Sequence, residues 1–376
     1  MSGRRLSVAL LTSARTWRGS GVSLASIAQG LLEHGHRAHM LAGDPEVVDS
    51  FRRLGLTADL VRAGNTGWRE ASDIARILRE TAADVMLVDR PRDLRLAALA
   101  SLAHRVAIVN RYNLSRRRPP RDLLTRLAYR RVALTVFVSE TSAAGALRLA
   151  SYLRRRPHRV INGSVDAGRF CPDPAAAAAF RRRHGLADTP FVLAVGSLTP
   201  DKRYDFLMDV WARPGERPPL VVCGEGAHGG RLRARAAERG VNVRFLGQLD
   251  ADQLVGAYSA AGCFVHAGAV ETFGLSVLEA MACGQAVLGV HGGAVPEVLG
   301  QAGVIAPVDD PESFGRLLDA LLADPARRAD LGAAARRRVL ERFSVATMRG
   351  SYVAALESVG PGPPLVVPPL ARAPEG

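Results

Sequence analysis

An α/β fold of two doubly wound, Rossmann-like domains facing a cleft is predicted by three features of the sequence. Short β-branched or apolar runs alternate with helical patterns along the chain, as in parallel strands joined by right-handed helical crossovers. The series occurs twice, and two sheets accommodate it better than one very wide sheet. Near residues 162–190 the run INGSVDAGRFCPDPAAAAAF interrupts both patterns with Gly, Pro and an alanine tract. With 376 residues and 48% hydrophobic content, the chain is long enough for two cores.

Taken in order, the first-half strands are LSVALLTS, HRAHMLAG, DVMLVD, RVAIVN, LTVFVS and the shorter HRVI. Those of the second half are FVLAVGS, PLVVCGEG, VRFLGQ, CFVHAG, AVLGV and GVIAP. The expected divisions are a first domain over 1–168 and a second over 169–342. A helix over 343–358 is expected to return to the first domain, and the proline-rich tail 359–376 to remain unpacked. Ligands of such sheets bind beyond the carboxyl ends of the strands, so the cleft between the domains is the expected site.

Composition narrows the classes. No apolar run approaches the roughly 20 residues that cross a bilayer, and MSGRRLSVALLTS turns polar too soon for a secretory signal, so a cytoplasmic location is expected. Cys171, Cys223, Cys263 and Cys283 show no CxxC spacing and read as reduced residues in or near the core, not metal ligands. The net charge of +14 lies wholly in the first half: residues 1–168 hold 28 Arg/Lys against 14 Asp/Glu, and the remainder holds 22 of each. Arg111, Arg116 to Arg118, Arg121, Arg126, Arg130, Arg131, Arg148, Arg154 to Arg156 and Arg159 carry much of it. Such a surface suits an anionic membrane face, which would place the protein peripherally at the inner leaflet, or an acidic acceptor. An ordinary solvated face fits equally, since 49 of the 50 basic residues are Arg. Nucleic acid is not expected, because no recognised motif or aromatic interleaving accompanies the arginines.

Glycine loops follow several strands. Gly19 and Gly21 precede an amphipathic helix and form half of a dinucleotide fingerprint, which fails where Leu24 replaces the third glycine. In the second half, GSLTPDKRYD and CGEGAHGG follow adjacent strands, a pairing that suits an anion needing close backbone approach. Lys202, the sole lysine, stands in the first of these loops, where a compact ammonium serves as a point charge for phosphate. Next comes VETFGLSVLEAMACG. LSVLEAMACG reads as a helix of about two to three turns, with Ser276 and its neighbours at the start and Gly284 as the terminator, and its free N–H groups offer an anion site beyond the preceding strand. Glu271 and Glu279, eight positions apart, cannot share one proton or metal. They flank a ligand with a negative middle and hydroxyls at both ends, as in a sugar nucleotide.

The run HAGAVETFGLSVLEAMACGQAVLGVHGGAVPEVL resembles the E-x7-E segment of the GT-B glycosyltransferases of family GT4, also grouped as glycosyl transferases group 1. The resemblance extends to Asn162–Pro172, to AVGSLTPDK, to VRFLGQLDADQLVGAYSAAGCFV and, in the first half, to RGSG followed by LLEHGHRAHMLAG. It implies a GT-B fold and retaining transfer of a sugar from a nucleotide-diphosphate donor to an unidentified hydroxyl of a glycan, lipid or small molecule, with no cofactor or essential metal. Glu271 and Lys202 would be the catalytic pair, on the sugar hydroxyls and the diphosphate. Glu279 would hold the ribose, the amides around Gly274, Leu275 and Ser276 the sugar and diphosphate, and the backbone near Gly247 and Gln248 the base.

Departures from the family pattern mark the less secure contacts. Ser197 stands where the family commonly has a second diphosphate cation, for which Arg203 is the substitute. Arg18-Gly19 replaces paired glycines, Ser164 is an insertion, and the usual histidine after the fourth N-terminal strand gives way to Asn110, Arg111, Tyr112 and Asn113. Gly19, Asn110 and Arg111 are therefore the first-domain candidates. Two other classes compete: a non-catalytic nucleotide-sugar or membrane-surface binder, and a nicotinamide dehydrogenase using Gly19, Gly21 and Asp44.

Overall fold

A computed structural model describes residues 4–17, 19–62, 66–113, 122–186 and 189–360. Arg18, the arginines 116–118 and 121, and the tail from 361 lie outside the described residues. The first sheet contains β1 (Ser7–Thr12), β2 (Arg37–Ala42), β3 (Ala58–Leu60), β4 (Val85–Val88), β5 (Ala107–Tyr112), β6 (Val132–Phe137) and β7 (His158–Val160). The second contains β8 (Val192–Val195), β9 (Leu220–Cys223), β10 (Val243–Gly247), β11 (Cys263–His266), β12 (Val287–Val290) and β13 (Val304–Ala306).

Both sheets are parallel, in the orders β3-β2-β1-β4-β5-β6-β7 and β10-β9-β8-β11-β12-β13. Each order reverses at one point, between β1 and β4 and between β8 and β11. A crevice opens at the strand ends there. Alternation along each central strand feeds two cores. In β1, Val8 and Leu10 face one cluster while Ala9 and Leu11 face the other, and β8 divides Leu193 from Val192 and Ala194 in the same way.

Two expectations require adjustment. β3 has no counterpart among the strands read from the sequence, because Ala58, Asp59 and Leu60 include no β-branched residue, unlike the equally short edge strands β7 and β13. β5 runs beyond the end of RVAIVN, since Arg111 and Tyr112 pair with Val136 and Phe137 of β6. The residues expected in a loop are thus partly strand.

The chain passes between the sheets twice. The two passages run side by side, with the Val165 N–H donating to the Phe343 carbonyl at 3.1 Å. The Val345–Glu357 helix then packs on the first sheet, where Met348, Tyr352, Val353 and Leu356 join Leu24, Ile27 and Leu31 of the Gly19–Glu33 helix in one core. Gly30 permits the close approach, since a Cβ there would lie 2.7 Å from that of Arg349. The four cysteines are unbonded, and three of them are buried.

Candidate active site

A cavity of about 440 Å³ lies where both sheets reverse order. From the second domain it gathers Gly196, Ser197, Lys202, Glu271, Gly274, Leu275, Ser276 and Glu279, and from the first Gly19 and Arg111. Most of the candidate residues meet there.

The local sequence explains the shape. Gly274 takes φ +94°, a left-handed conformation that favours glycine, and starts the Leu275–Ala282 helix with its free N–H groups toward the cavity. Gly284, at φ +73°, follows the helix end. Across the cleft Gly19 begins another helix, and a Cβ on it would stand 3.0 Å from Leu275 Cδ1. Two helix starts therefore converge on the cavity, giving it a positive field before any side chain is counted.

Glu271 is not poised freely. Its Oε2 accepts from Lys202 Nζ, and His266 Nε2 lies 3.6 Å from the same oxygen. Burial works against the ionised carboxylate, but the Lys202 ammonium, by its charge and its hydrogen bond, outweighs it and holds the Glu271 carboxyl below its ordinary range. Burial lowers His266 to about 4, so its ring is neutral, and its Nε2 has no hydrogen-bond partner. Glu279 sits in a different environment. Burial raises its carboxyl to about 7, opposed only by a 2.8 Å hydrogen bond from Tyr258 Oη.

Several candidates are placed elsewhere. Arg203 occupies a left-handed turn at φ +56°, which directs its guanidinium to Asp309 and over the Phe206 ring at 4.9 Å, beside a separate cavity. It is not among the residues that line the cavity beside Ser197. Asn110 is buried and donates to Tyr129 Oη at 2.9 Å, a contact inside the first core. Gly247 ends β10 at φ +75°, and exposed Gln248 follows; neither lines the cavity. The CGEGAHGG loop is also not an open cradle. A Cβ on Gly224 would fall 2.0 Å from the Gly196 carbonyl and one on Gly226 2.5 Å from that of Leu198, so these glycines serve packing between two loops. Asp44 caps the Pro45–Arg53 helix by accepting from the Glu46 N–H at 3.0 Å, away from the cavity.

Arg111 is held from within its own domain, where its Nη1 lies 3.4 Å from Asp89 Oδ1 and its Nε 3.2 Å from Tyr352 Oη. Tyr258, His266 and Asp89 escape sequence reasoning. His266 and Asp89 carry a signal, each at the carboxyl end of a strand read from the sequence. Among the described residues, no three His, Cys, Asp or Glu side chains gather as a metal site.

The two parallel sheets and the cleft between them define the GT-B arrangement, and solved structures share it. Anabaena Alr3699/HepE in complex with UDP superposes with a TM-score of 0.82, covering 94% of this chain and 100% of that one at 18% identity. Sucrose-phosphate synthase from Thermosynechococcus elongatus gives 0.78 over 94% and 99% at 21% identity. At these identities the likeness is one of fold.

Sequence comparison is more particular. Residues 177–338 match the family model of the glycosyl transferases group 1. The GDP-mannose-dependent alpha-(1-6)-phosphatidylinositol monomannoside mannosyltransferase of Mycolicibacterium smegmatis is 34% identical over 208 residues, 52% of this chain and 54% of that protein. The D-inositol 3-phosphate glycosyltransferase of Salinispora arenicola is 35% identical over 226 residues, 54% of this chain and 50% of that protein. The chain spans about half the length of these relatives.

Proposed function

We propose that this chain is a retaining glycosyltransferase that moves a sugar from a nucleotide-diphosphate donor to an acceptor hydroxyl. The observation that carries the reading is the meeting of Lys202, Glu271, Glu279 and the start of the Leu275–Ala282 helix in one cavity opposite Gly19 and Arg111. The family match over 177–338 supports the same donor chemistry. Retention, and action without an essential metal, rest on the resemblance of the E-x7-E run.

In this reading residues 169–342 bind the donor and 1–168 the acceptor. Negative charge grows on the leaving diphosphate while the sugar becomes oxocarbenium-like. Lys202 and the amides of Gly274 to Ser276 meet the first, and Glu271 holds the sugar hydroxyls. Fixed groups of this kind need no reorganisation during the reaction. Glu279 takes the ribose, and the base runs toward Gly247 and Gln248. The acceptor is a hydroxyl of a glycan, lipid or small molecule. Two relatives are named for phosphatidylinositol monomannoside and inositol 3-phosphate, which supports a phosphorylated acceptor of that kind. A panel of nucleotide sugars tests the reading. At least one is expected to stabilise the fold thermally and to release nucleoside diphosphate faster when acceptor is present; failure of every donor to do either contradicts it.

The Glu279 environment makes donor binding pH-dependent. A carboxylate accepts from two vicinal hydroxyls and the acid does not, so nucleoside diphosphate affinity is expected to rise between pH 6 and 8, through the value near 7. Glu279→Gln removes that dependence. Stability moves oppositely: below the folded value the native state retains a proton the unfolded chain has released, so the wild type loses stability from about pH 4.5 to 7. Isothermal titration at three pH values reads the affinity, and a flat wild-type profile contradicts the assignment.

Peripheral docking on an anionic membrane is the second part of the proposal. Leu123, Leu124 and Leu127 are 67%, 64% and 42% exposed on the Leu123–Tyr129 helix. Beside them Arg126, Arg130, Arg155 and Arg156 line a cavity of about 460 Å³. Leucines facing out among arginines suit a surface with apolar depth and anionic headgroups. Among the described residues no helix is long and apolar enough to cross a membrane. Arg126→Glu with Arg130→Glu is expected to abolish flotation with phosphatidylglycerol vesicles, as is 0.5 M salt, by screening to roughly one Debye length of a few ångströms. Flotation indifferent to both argues against docking.

A further inference from the structure

We propose that Glu297 is a positioning residue that ties the docking of the two domains to the placement of Glu271. The inference rests on the donor-site reading above, but its geometry lies outside the cavity.

The segment after β12 does two things at once. Its backbone lies directly behind Glu271: the Ala294 N–H donates to the Glu271 carbonyl at 2.9 Å. Gly293, at φ +55°, makes this possible, since a Cβ there would fall 2.2 Å from the Glu271 oxygen. Then Glu297, on the Val295–Leu299 helix, sends its carboxylate across to the first domain. Oε1 accepts from the Glu140 N–H at 3.0 Å and from Asn162 Nδ2 at 3.3 Å. Oε2 accepts from the Thr141 N–H and from Thr141 Oγ1, each at 3.0 Å. Those N–H groups open the Glu140–Leu149 helix, whose unpaired donors and dipole favour an anion.

The same helix start reaches back to the site. Its cap, Ser139, donates from Oγ to the Thr272 carbonyl at 2.9 Å, adjacent to Glu271. The Glu271–Thr272 backbone is therefore held from behind by Ala294 and from the other domain by Ser139, and Glu297 joins the two supports. Arg338 stiffens the carrier by donating to the carbonyls of Glu297 at 2.9 Å and Val298 at 2.8 Å. One carboxylate with four donors is a strong local contact, and separating the domains breaks it together with the Ser139 bond.

Glu297→Ala is the test, read in the full chain by three measurements. Nucleoside diphosphate affinity is expected to stay within about twofold, because its ligands are left in place, while donor turnover with acceptor falls about tenfold or more through misplacement of Glu271. Small-angle scattering is expected to show a larger radius of gyration than the wild type. Ser139→Ala, which removes the bond to Thr272 and the cap on the Ser142 N–H but leaves the Glu297 carboxylate in place, should lower turnover without expanding the protein. Unchanged scattering and turnover in Glu297→Ala overturn the inference, as does an equal loss of affinity and turnover, which would mean that Glu297 acts through the second domain's own fold. If the wild type turns over no nucleotide sugar, the donor-site reading fails; unchanged scattering then still sinks the interdomain contact.

Discussion

Glu271→Ala is expected to lower turnover by about 100-fold or more while leaving nucleoside diphosphate affinity unchanged or tighter. The asymmetry follows from the pairing with Lys202. The ammonium is engaged by the Glu271 carboxylate, and a diphosphate must take it away. Removing the carboxylate frees the cation for the diphosphate but leaves the transferring sugar without its acceptor of hydroxyl hydrogens. Single-turnover measurement beside calorimetric titration of the nucleoside diphosphate separates the two effects. Equal loss of both contradicts the assigned role.

Lys202→Ala is expected to weaken nucleoside diphosphate binding by about tenfold or more and turnover by about 100-fold or more, because a charged donor to phosphate is lost in the ground state and more in the transition state. A second consequence comes from Glu271, whose side chain is only 12% exposed. Without the ammonium its burial is opposed by less, so its carboxyl rises and, at saturating donor, the acidic limb of the pH–rate profile moves up. Lys202→Arg is expected to recover binding better than rate, since a planar fork does not reproduce a point charge on a flexible stem. A Lys202→Ala protein with wild-type affinity and an unmoved acidic limb contradicts both the contact and the coupling.

The parts of this site legible in sequence are those encoded locally. The Leu275–Ala282 helix is followed by Gly284 at positive φ, so its end could be marked without knowing its partners. The central strands are buried runs of apolar residues, whereas β3, Ala-Asp-Leu at a sheet edge, lacks the β-branched residues that mark the equally short β7 and β13. Pairings across long separations are silent in the sequence. Lys202 meets Glu271 over 69 positions, Glu297 meets Glu140 over 157 and Arg111 meets Tyr352 over 241. Adjacency also misleads. Arg203 follows Lys202, yet one left-handed residue turns the two cations to different cavities, and the glycines of CGEGAHGG answer to a neighbouring loop instead of a ligand. Glu297 was in plain view within the E-x7-E neighbourhood, but its role depends on a helix start in the other domain.

A structure of the protein with a bound nucleoside diphosphate hexose tests the central claim most directly. The diphosphate is predicted at the start of the Leu275–Ala282 helix with Lys202 swung onto it, the hexose against Glu271 and the ribose against Glu279. Density for the ligand away from this cavity, or both glutamates turned from it, would contradict the account.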